Sequence, residues 1–430
     1  MKQLIKAYNL FYIFMAIIWQ PFQIYILKVD GAGRAIMVLS ILAIVLNLYE
    51  FWKQKKVFTS LAFICWTVLL CYSMWNAFNK GFYAENGTFV FLRNNFFDTF
   101  VLLLIMMLEL KESKYLCLWV IWLALGVYLL VGLPSFIQNP QERFSVEGIG
   151  NLYPLNTVAF LFVSSVLFVE EKLKLPFFVA AIVAASGIIL LSGTRKAFGA
   201  EVIILLGVVL TNKKKRNFWA WLRILVFGGV LAFGVHYVMN NTIIGERIFE
   251  SEDNEQFYVQ LVKNEQVNDF LMVLLGDRAG QYEVGIELFH EHFWTGIGLT
   301  NYGDIAGSDM VLHSEYMVQL CENGIIGFVL LMLFYVIIIV GFIKSRIQTG
   351  SKKLNVVLFG LFAVLFINLT AWTYCQTYIM VFYAIVFSYV YADKNNIIIT
   401  NNVKKNSHTS SREQFQRTLD RIFEPASDRV

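Results

Sequence analysis

IIGFVLLMLFYVIIIVGFI, residues 325–343, is a run without a charged side chain. At about 1.5 Å of rise per residue, a helix of this length nearly crosses the ~30 Å hydrocarbon layer of a bilayer. Comparable blocks recur along the chain. They predict spans near 8–27, 35–52, 57–77, 95–110, 115–133, 154–170, 175–193, 197–211, 219–239, 313–342, 353–371 and 374–392, about twelve in all. In lipid each span must satisfy its own backbone hydrogen bonds, so the expected fold is all-α, a polytopic transmembrane helical bundle. Composition agrees: the chain is 57% hydrophobic and only 15% charged, whereas a soluble domain keeps roughly a quarter of its residues charged to wet its surface. The first apolar run is followed by no small-residue cleavage site, so it reads as an anchor rather than a removed signal peptide.

The expected organisation is helices 1–9 over residues 1–239, a large external loop over 240–312, helices 10–12 over 313–392 and a polar cytoplasmic tail over 393–430. Charge sets the orientation. With the N-terminus cytoplasmic, about 25 Lys and Arg fall inside against about 10 outside, and about 18 against 10 when the tail is left out. Arg223 is counted inside as an interfacial residue that snorkels. Both termini are therefore expected in the cytoplasm. The net charge of +4 is mostly this topology signal and calls for no nucleic-acid partner. Cys65, Cys71, Cys117, Cys321 and Cys375 all fall inside predicted spans without CxxC spacing, so they read as packing residues.

Chemistry is left to three places: the segment 134–153, the turn 192–196 and the long loop. In the loop, Phe257 and Leu261, then Val284 and Leu288, predict amphipathic helices over 255–275 and 278–293 lying on the outer end of the bundle. The loop is acidic, with roughly 13 Asp and Glu against Arg247, Lys263 and Arg278. An anionic substrate would need specific cationic contacts there. In the tail, Phe415, Leu419, Ile422 and Phe423 share a helical face among Arg412, Arg417 and Arg421. A short helix on the inner membrane surface and a disordered tail both fit.

His313-Ser314-Glu315-Tyr316, followed by Glu322-Asn323-Gly324-Ile325-Ile326-Gly327, is the strongest local pattern. A histidine at a membrane interface can accept a proton near neutral pH, and a carboxylate at Glu322 is costly within a span unless partnered. The competing reading is an interfacial histidine above a seam of glycines, Gly324 and Gly327, that lets helices pack closely. Arg195 occupies a tight turn flanked by Gly193 and Gly199; it fits either a snorkelling anchor or an anion clamp with a planar fork of donors. Arg278 fits either an anion contact or a partner of Asp277. Arg143 and Lys196 are further cationic candidates. His290-Glu291-His292 is poorly spaced for a metal, because i and i+2 on a helix point about 200° apart. The acidic run Glu252-Asp253-Asn254-Glu255 has no second cluster to complete a cation site. No metal site or cofactor is expected.

In order along the chain, these segments resemble the O-antigen ligase/polymerase superfamily of bacterial membrane glycosyltransferases. Arg143, Gly148, Pro154, Asn156 and Ala159 are similar to its external Arg…Gly…Pro-Asn-x-x-Ala segment, with Leu155 intervening here. Ser192-Gly193-Thr194-Arg195 resembles its Ser/Thr-Gly-Ser-Arg turn, with Lys196 where Gly is common. Arg278 through Tyr282, then His292 to Gly298, resembles its Arg-x-x-x-aromatic…His-Pro-x-x-Gly-x-Gly run, with Phe293 in place of Pro. His313-Ser314 through Glu322-x-Gly324-x-x-Gly327 resembles its His-Asn/Ser…Glu-x-Gly-x-x-Gly segment.

The resemblance implies that an undecaprenyl-diphosphate-linked glycan is the donor and a sugar hydroxyl the acceptor, at the outer face of the bacterial cytoplasmic membrane. It implies His313 as general base, Arg278 and Arg195 as catalytic contacts to the departing diphosphate, and Arg143, Lys196, Tyr282 and Glu322 as substrate-binding residues. Two arginines could take the place of a metal, and direct displacement would invert the anomeric centre. The leading expectation is a polymerase of O-antigen, capsule or related repeat units in polysaccharide or lipopolysaccharide biosynthesis. One alternative is a ligase that moves finished glycan to lipid A core, wall polymer or protein. Another is a transporter or flippase of the lipid-linked glycan. The implied partners are the donor, the glycan acceptor and membrane lipid, with a separate flippase and a chain-length regulator as candidates.

Overall fold

A computed structural model describes residues 2–28, 33–53, 58, 60–80, 97–138, 152–192, 194–211, 279–306, 312–371, 373 and 376–392. Among these residues every regular element is helical. In chain order they are α1 (Lys2–Pro21, extended by a π-helical turn Phe22–Leu27), α2 (Gly33–Lys53), α3 (Leu61–Lys80), α4 (Thr99–Gln138), α5 (Leu152–Val169) and α6 (Leu175–Leu191). Then come α7 (Arg195–Thr211), α8 (Ala279–Glu291), α9 (Tyr302–Ala306), α10 (Glu315–Thr349), α11 (Leu354–Asn368) and α12 (Thr377–Phe387, with a π-helical turn Ser388–Ala392).

Among the described residues, 6 helices are long and apolar enough to cross a membrane: α1, α2, α3, α4, α5 and α10. Helices α6, α11 and α12 are shorter and apolar. Each expected span falls on a helix except 219–239, which lies outside the described residues, as do 255–275 and the tail. On α10, Val329, Leu333, Val336, Val340, Ile343 and Ile347 are all exposed. Their spacing of three and four places them on one face. A continuous apolar stripe on a long helix would be untenable in water and is ordinary against lipid chains. The described residues form an all-helical bundle of a membrane protein.

The bundle is organised around α5 and α12. Helix α12 is buried from Tyr378 through Phe387, and α5 is buried along most of its length. Phe162 of α5 stacks on Phe382 of α12 with ring centroids 4.3 Å apart. The polar residues of α5 fit this interior by bonding back along the helix. Thr157 Oγ1 donates to Tyr153 O (3.0 Å), Ser164 Oγ to Phe160 O (2.8 Å) and Ser165 Oγ to Leu161 O (2.8 Å). Their hydroxyls are thereby satisfied without water.

Several expectations change. The two spans 95–110 and 115–133 form one helical run, bent at Ser113 (φ −143°, ψ 55°) rather than joined by a loop. The Ser113 hydroxyl donates to the Glu109 carboxylate at 2.9 Å, which ties the bend to the preceding turn. Cys65, Cys117 and Cys321 are buried, but Cys71 is exposed, so it does not pack in the interior. Cys375 lies outside the described residues. The second loop helix forms as α8, yet it is rotated from the expected register: Val284 is exposed, whereas Tyr282 is buried. The larger ring of Tyr282 removes more apolar surface from water than Val284 could. It joins Ile297, Tyr302, Leu312, Val318 and Cys321 in a second small core, with Leu288 packed beside it. This core holds α8 against the first half of α10.

At the opposite end of the bundle, Glu170 in the turn after α5 gathers three elements. Its carboxylate accepts from Lys114 Nζ (3.1 Å), Lys353 Nζ (2.9 Å) and the Tyr389 hydroxyl (2.6 Å). Burial opposes its ionisation, but Lys114, the Tyr389 hydroxyl and Lys353 together outweigh burial and hold the carboxyl down at about 2.

Candidate functional site

The site begins with a break in a helix. At Gly324 (φ 65°, ψ −168°) α10 leaves the helical conformation and then resumes it. A break frees backbone groups, which inside a membrane must find partners. The stretch 293–298 supplies them. Ile297 N donates to Cys321 O (3.0 Å) and Gly298 N to Glu322 O (2.9 Å), while Ile325 N donates to Phe293 O (2.9 Å). Asn76 Nδ2 of α3 donates to both Thr295 O (2.6 Å) and Glu322 O (2.9 Å), and the Tyr72 hydroxyl to Asn323 O (3.0 Å). Gly296, also left-handed at φ +67°, faces the break so closely that a Cβ there would lie 2.5 Å from Cys321 O. The two glycine motifs of the sequence are thus the two halves of one backbone joint. Gly324 was expected to smooth a helix–helix seam; it instead opens the helix to a loop.

Glu322 locks this joint. It is buried, and its Oε2 accepts from Thr300 N at 2.9 Å while its own carbonyl accepts from Gly298 and Asn76. Thr300 itself is left-handed, with φ 67°, a conformation costing roughly 1–2 kcal/mol that must be held by its surroundings. Lys80, exposed at the end of α3, lies against Gly298 on the rim of the same loop.

His313 stands just before the cap of α10 and is half-buried. Ser314 adopts extended backbone, and its Oγ accepts from Met317 N (3.5 Å) and donates to Asn368 O (3.3 Å). Glu315 is buried and fixes the turn from below. Its N donates to Ala371 O (3.1 Å), its Oε2 accepts from Thr373 N (2.8 Å) and its Oε1 accepts from Gln319 Nε2 (2.9 Å). Gln319 in turn accepts from Asn323 (3.0 Å), so the ladder reaches the break at Gly324. On the other side, Thr373 Oγ1 donates to Asn368 Oδ1 (2.5 Å), Asn368 Nδ2 to the Tyr335 hydroxyl (2.6 Å), and Tyr335 pairs with Tyr383 (2.7 Å). The turn that carries His313 is thus set on hydrogen-bonded supports.

The structure also brings the Arg195 turn to this place. Helix α6 ends at Leu191 and α7 starts at Arg195. Lys196 Nζ, half-buried, reaches Thr370 O at 3.5 Å, and residues 368–371 are the segment that receives Ser314 and Glu315. The start of α7 and the His313 turn therefore share one support. Tyr282 is in the small core below α8. Arg143 and Arg278 lie outside the described residues, as does the side chain of Arg195.

Sequence reasoning passed over Tyr72, Asn76, Gln319, Asn368 and Thr373. A signal was present for three of them: Asn76, Gln319 and Asn368 are carboxamides within apolar spans, where an unpartnered polar group is costly.

Among known proteins, residues 180–332 match the family model described as O-antigen ligase. No curated protein matches the chain. The matched stretch contains the Arg195–Lys196 turn, the 293–301 loop, the His313 turn and the broken first half of α10. That match makes residues 180–332 similar to the O-antigen ligase family.

Proposed function

We propose that the protein polymerises surface-polysaccharide repeat units, transferring an undecaprenyl-diphosphate-linked glycan to a sugar hydroxyl at the outer face of the cytoplasmic membrane. The observation that carries this reading is the common support of the His313 turn and the cationic start of α7 on residues 368–371. A histidine turn that shares its support with a cationic helix start suits a reaction in which one oxygen loses a proton as another gains charge on a diphosphate.

In this reading His313 accepts the proton of the acceptor hydroxyl as its oxygen bonds to the donor's anomeric carbon. The bond from that carbon to the diphosphate oxygen breaks, and the electron pair leaves with the lipid diphosphate. Arg195 and Arg278 are the contacts proposed for that charge, with Lys196 and Arg143 assisting. One displacement inverts the anomeric centre. The match to an O-antigen ligase model supports glycan transfer over transport of the lipid-linked glycan.

The test uses the full-length protein in lipid with a lipid-diphosphate-linked repeat unit. A ladder of extended products is expected, with the rate falling by about 10²–10⁴ in His313→Ala. A stably inserted His313→Ala that extends glycan at the wild-type rate would remove the base from this scheme. Transfer to a foreign acceptor without any ladder would make the protein a ligase.

A further inference from the structure

A cavity of about 40 Å³ lies between α1, α4, α5 and α12, lined on its polar side by Gln20, Tyr128, Asn156, Gln376, Thr377 and Tyr378. Three of these residues are nearly inaccessible: Tyr128 is 2% exposed, Asn156 4% and Tyr378 1%. Among the described residues, the Tyr128 hydroxyl, Asn156 Oδ1 and the Tyr378 hydroxyl have no hydrogen-bond partner. Tyr128 and Asn156 are neighbours across the cavity wall. One N–H of the Asn156 amide donates to Leu152 O at 2.9 Å, and its carbonyl oxygen remains to be met. Buried polar groups are rarely left unpaired, and three around one cavity point to an occupant.

The chemistry of the wall says what kind. No charged side chain lines the cavity, so it is not built for a diphosphate. Two hydroxyls and a carboxamide oxygen suit a small group that both donates and accepts. The volume has room for one water molecule or for one hydroxyl or hydroxymethyl arm. The cavity is also tied to the site above: Gln376 N donates to Thr373 O at 3.0 Å, and Thr373 N to the Glu315 carboxylate at 2.8 Å, two residues from His313.

We infer that this cavity is a subsite for one hydroxyl-bearing arm of a sugar ring in a reacting glycan, read by Tyr128, Asn156 and Tyr378. The inference rests on the glycan-transfer reading and adds a specificity determinant to it. A site whose buried polar groups are paired by a sugar hydroxyl rejects the deoxy analogue strongly, because that analogue leaves them unpaired.

The experiment measures transfer by the full-length protein in lipid, varying a lipid-linked donor and a soluble repeat-unit acceptor separately. Asn156→Ala, Tyr128→Phe and Tyr378→Phe are each expected to raise one KM by about threefold to tenfold, with kcat held within about twofold. A raised donor KM assigns the arm to the donor sugar, and a raised acceptor KM assigns it to the acceptor. The wild-type protein should discriminate against one monodeoxy substrate, and the variants should lose that discrimination. If wild type transfers glycan but accepts every monodeoxy substrate equally, the cavity holds water and the subsite is overturned, whether or not the variants fold. Both KM values unchanged in well-folded variants overturn it too. Absence of transfer by wild type would instead refute the parent reading.

Discussion

The backbone nitrogen of Gly296 lies 2.6 Å from where a Cβ on Gly324 would sit, and each of these glycines has positive φ. Residues 28 apart in sequence are thus pressed backbone to backbone, and the hydrogen bonds around them join the 293–298 loop to the broken helix α10. Neither position tolerates a side chain.

Gly324→Ala tests this contact against an internal control. The left-handed conformation alone costs about 1–2 kcal/mol, and forcing a methyl into packed backbone adds about 1–3 kcal/mol. Gly350 is also left-handed, at φ +60°, but nothing would lie within 4 Å of its Cβ. Thermal unfolding in detergent should therefore show a clearly larger loss for Gly324→Ala than for Gly350→Ala.

Asn76→Leu removes the donor to Thr295 O and Glu322 O while keeping an apolar side chain of similar size in α3. The half-buried Thr295 carbonyl then loses this donor, at about 1–3 kcal/mol where nothing replaces it, while Glu322 O keeps the Gly298 N–H. Faster proteolysis within 292–301, with the helical circular dichroism retained, is the expected result. Unchanged cleavage would mean that Asn76 does not hold the loop.

Glu315→Gln leaves one acceptor oxygen for two donors, Gln319 Nε2 and Thr373 N. The His313 turn should loosen without losing its histidine. Glycan-extension kcat is expected to fall about tenfold to a hundredfold with acceptor KM little changed. An equal fall in a binding step would indicate that Glu315 contacts substrate instead of positioning the turn.

Acid should act at the other end of the bundle. The Glu170 carboxyl titrates at about 2 in the folded protein, below its ordinary value of 4.5. A depressed folded value means that the unfolded chain takes up the proton first as pH falls. The stabilisation from Lys114, the Tyr389 hydroxyl and Lys353 is therefore complete above about pH 4.5 and is lost as pH falls from there through about 2. The difference in melting temperature between wild type and Glu170→Gln should shrink over that interval. A constant difference would mean that ionisation of Glu170 does not support the fold.

Much of this architecture was legible in local sequence. Lipid demands uninterrupted apolar runs with internally paired backbone, and runs such as 325–343 report that demand directly. The order of Arg195, the 292–298 motif, His313 and Glu322 was legible as well, and the family match covers all four. Tertiary structure decided how those pieces meet. Helical periodicity is a property of neighbours within a few turns. The break at Gly324 instead depends on Asn76 and Tyr72, which reach it across 246 and 251 residues. The rotation of α8 was likewise set by which face could bury Tyr282 against Val318 and Cys321. The support shared by the His313 turn and the start of α7 is residues 368–371, whose backbone carbonyls carry no side-chain signature. Sequence determined that this chain belongs in a membrane and marked candidate residues along it; packing decided that the His313 turn and the start of α7 stand on common ground.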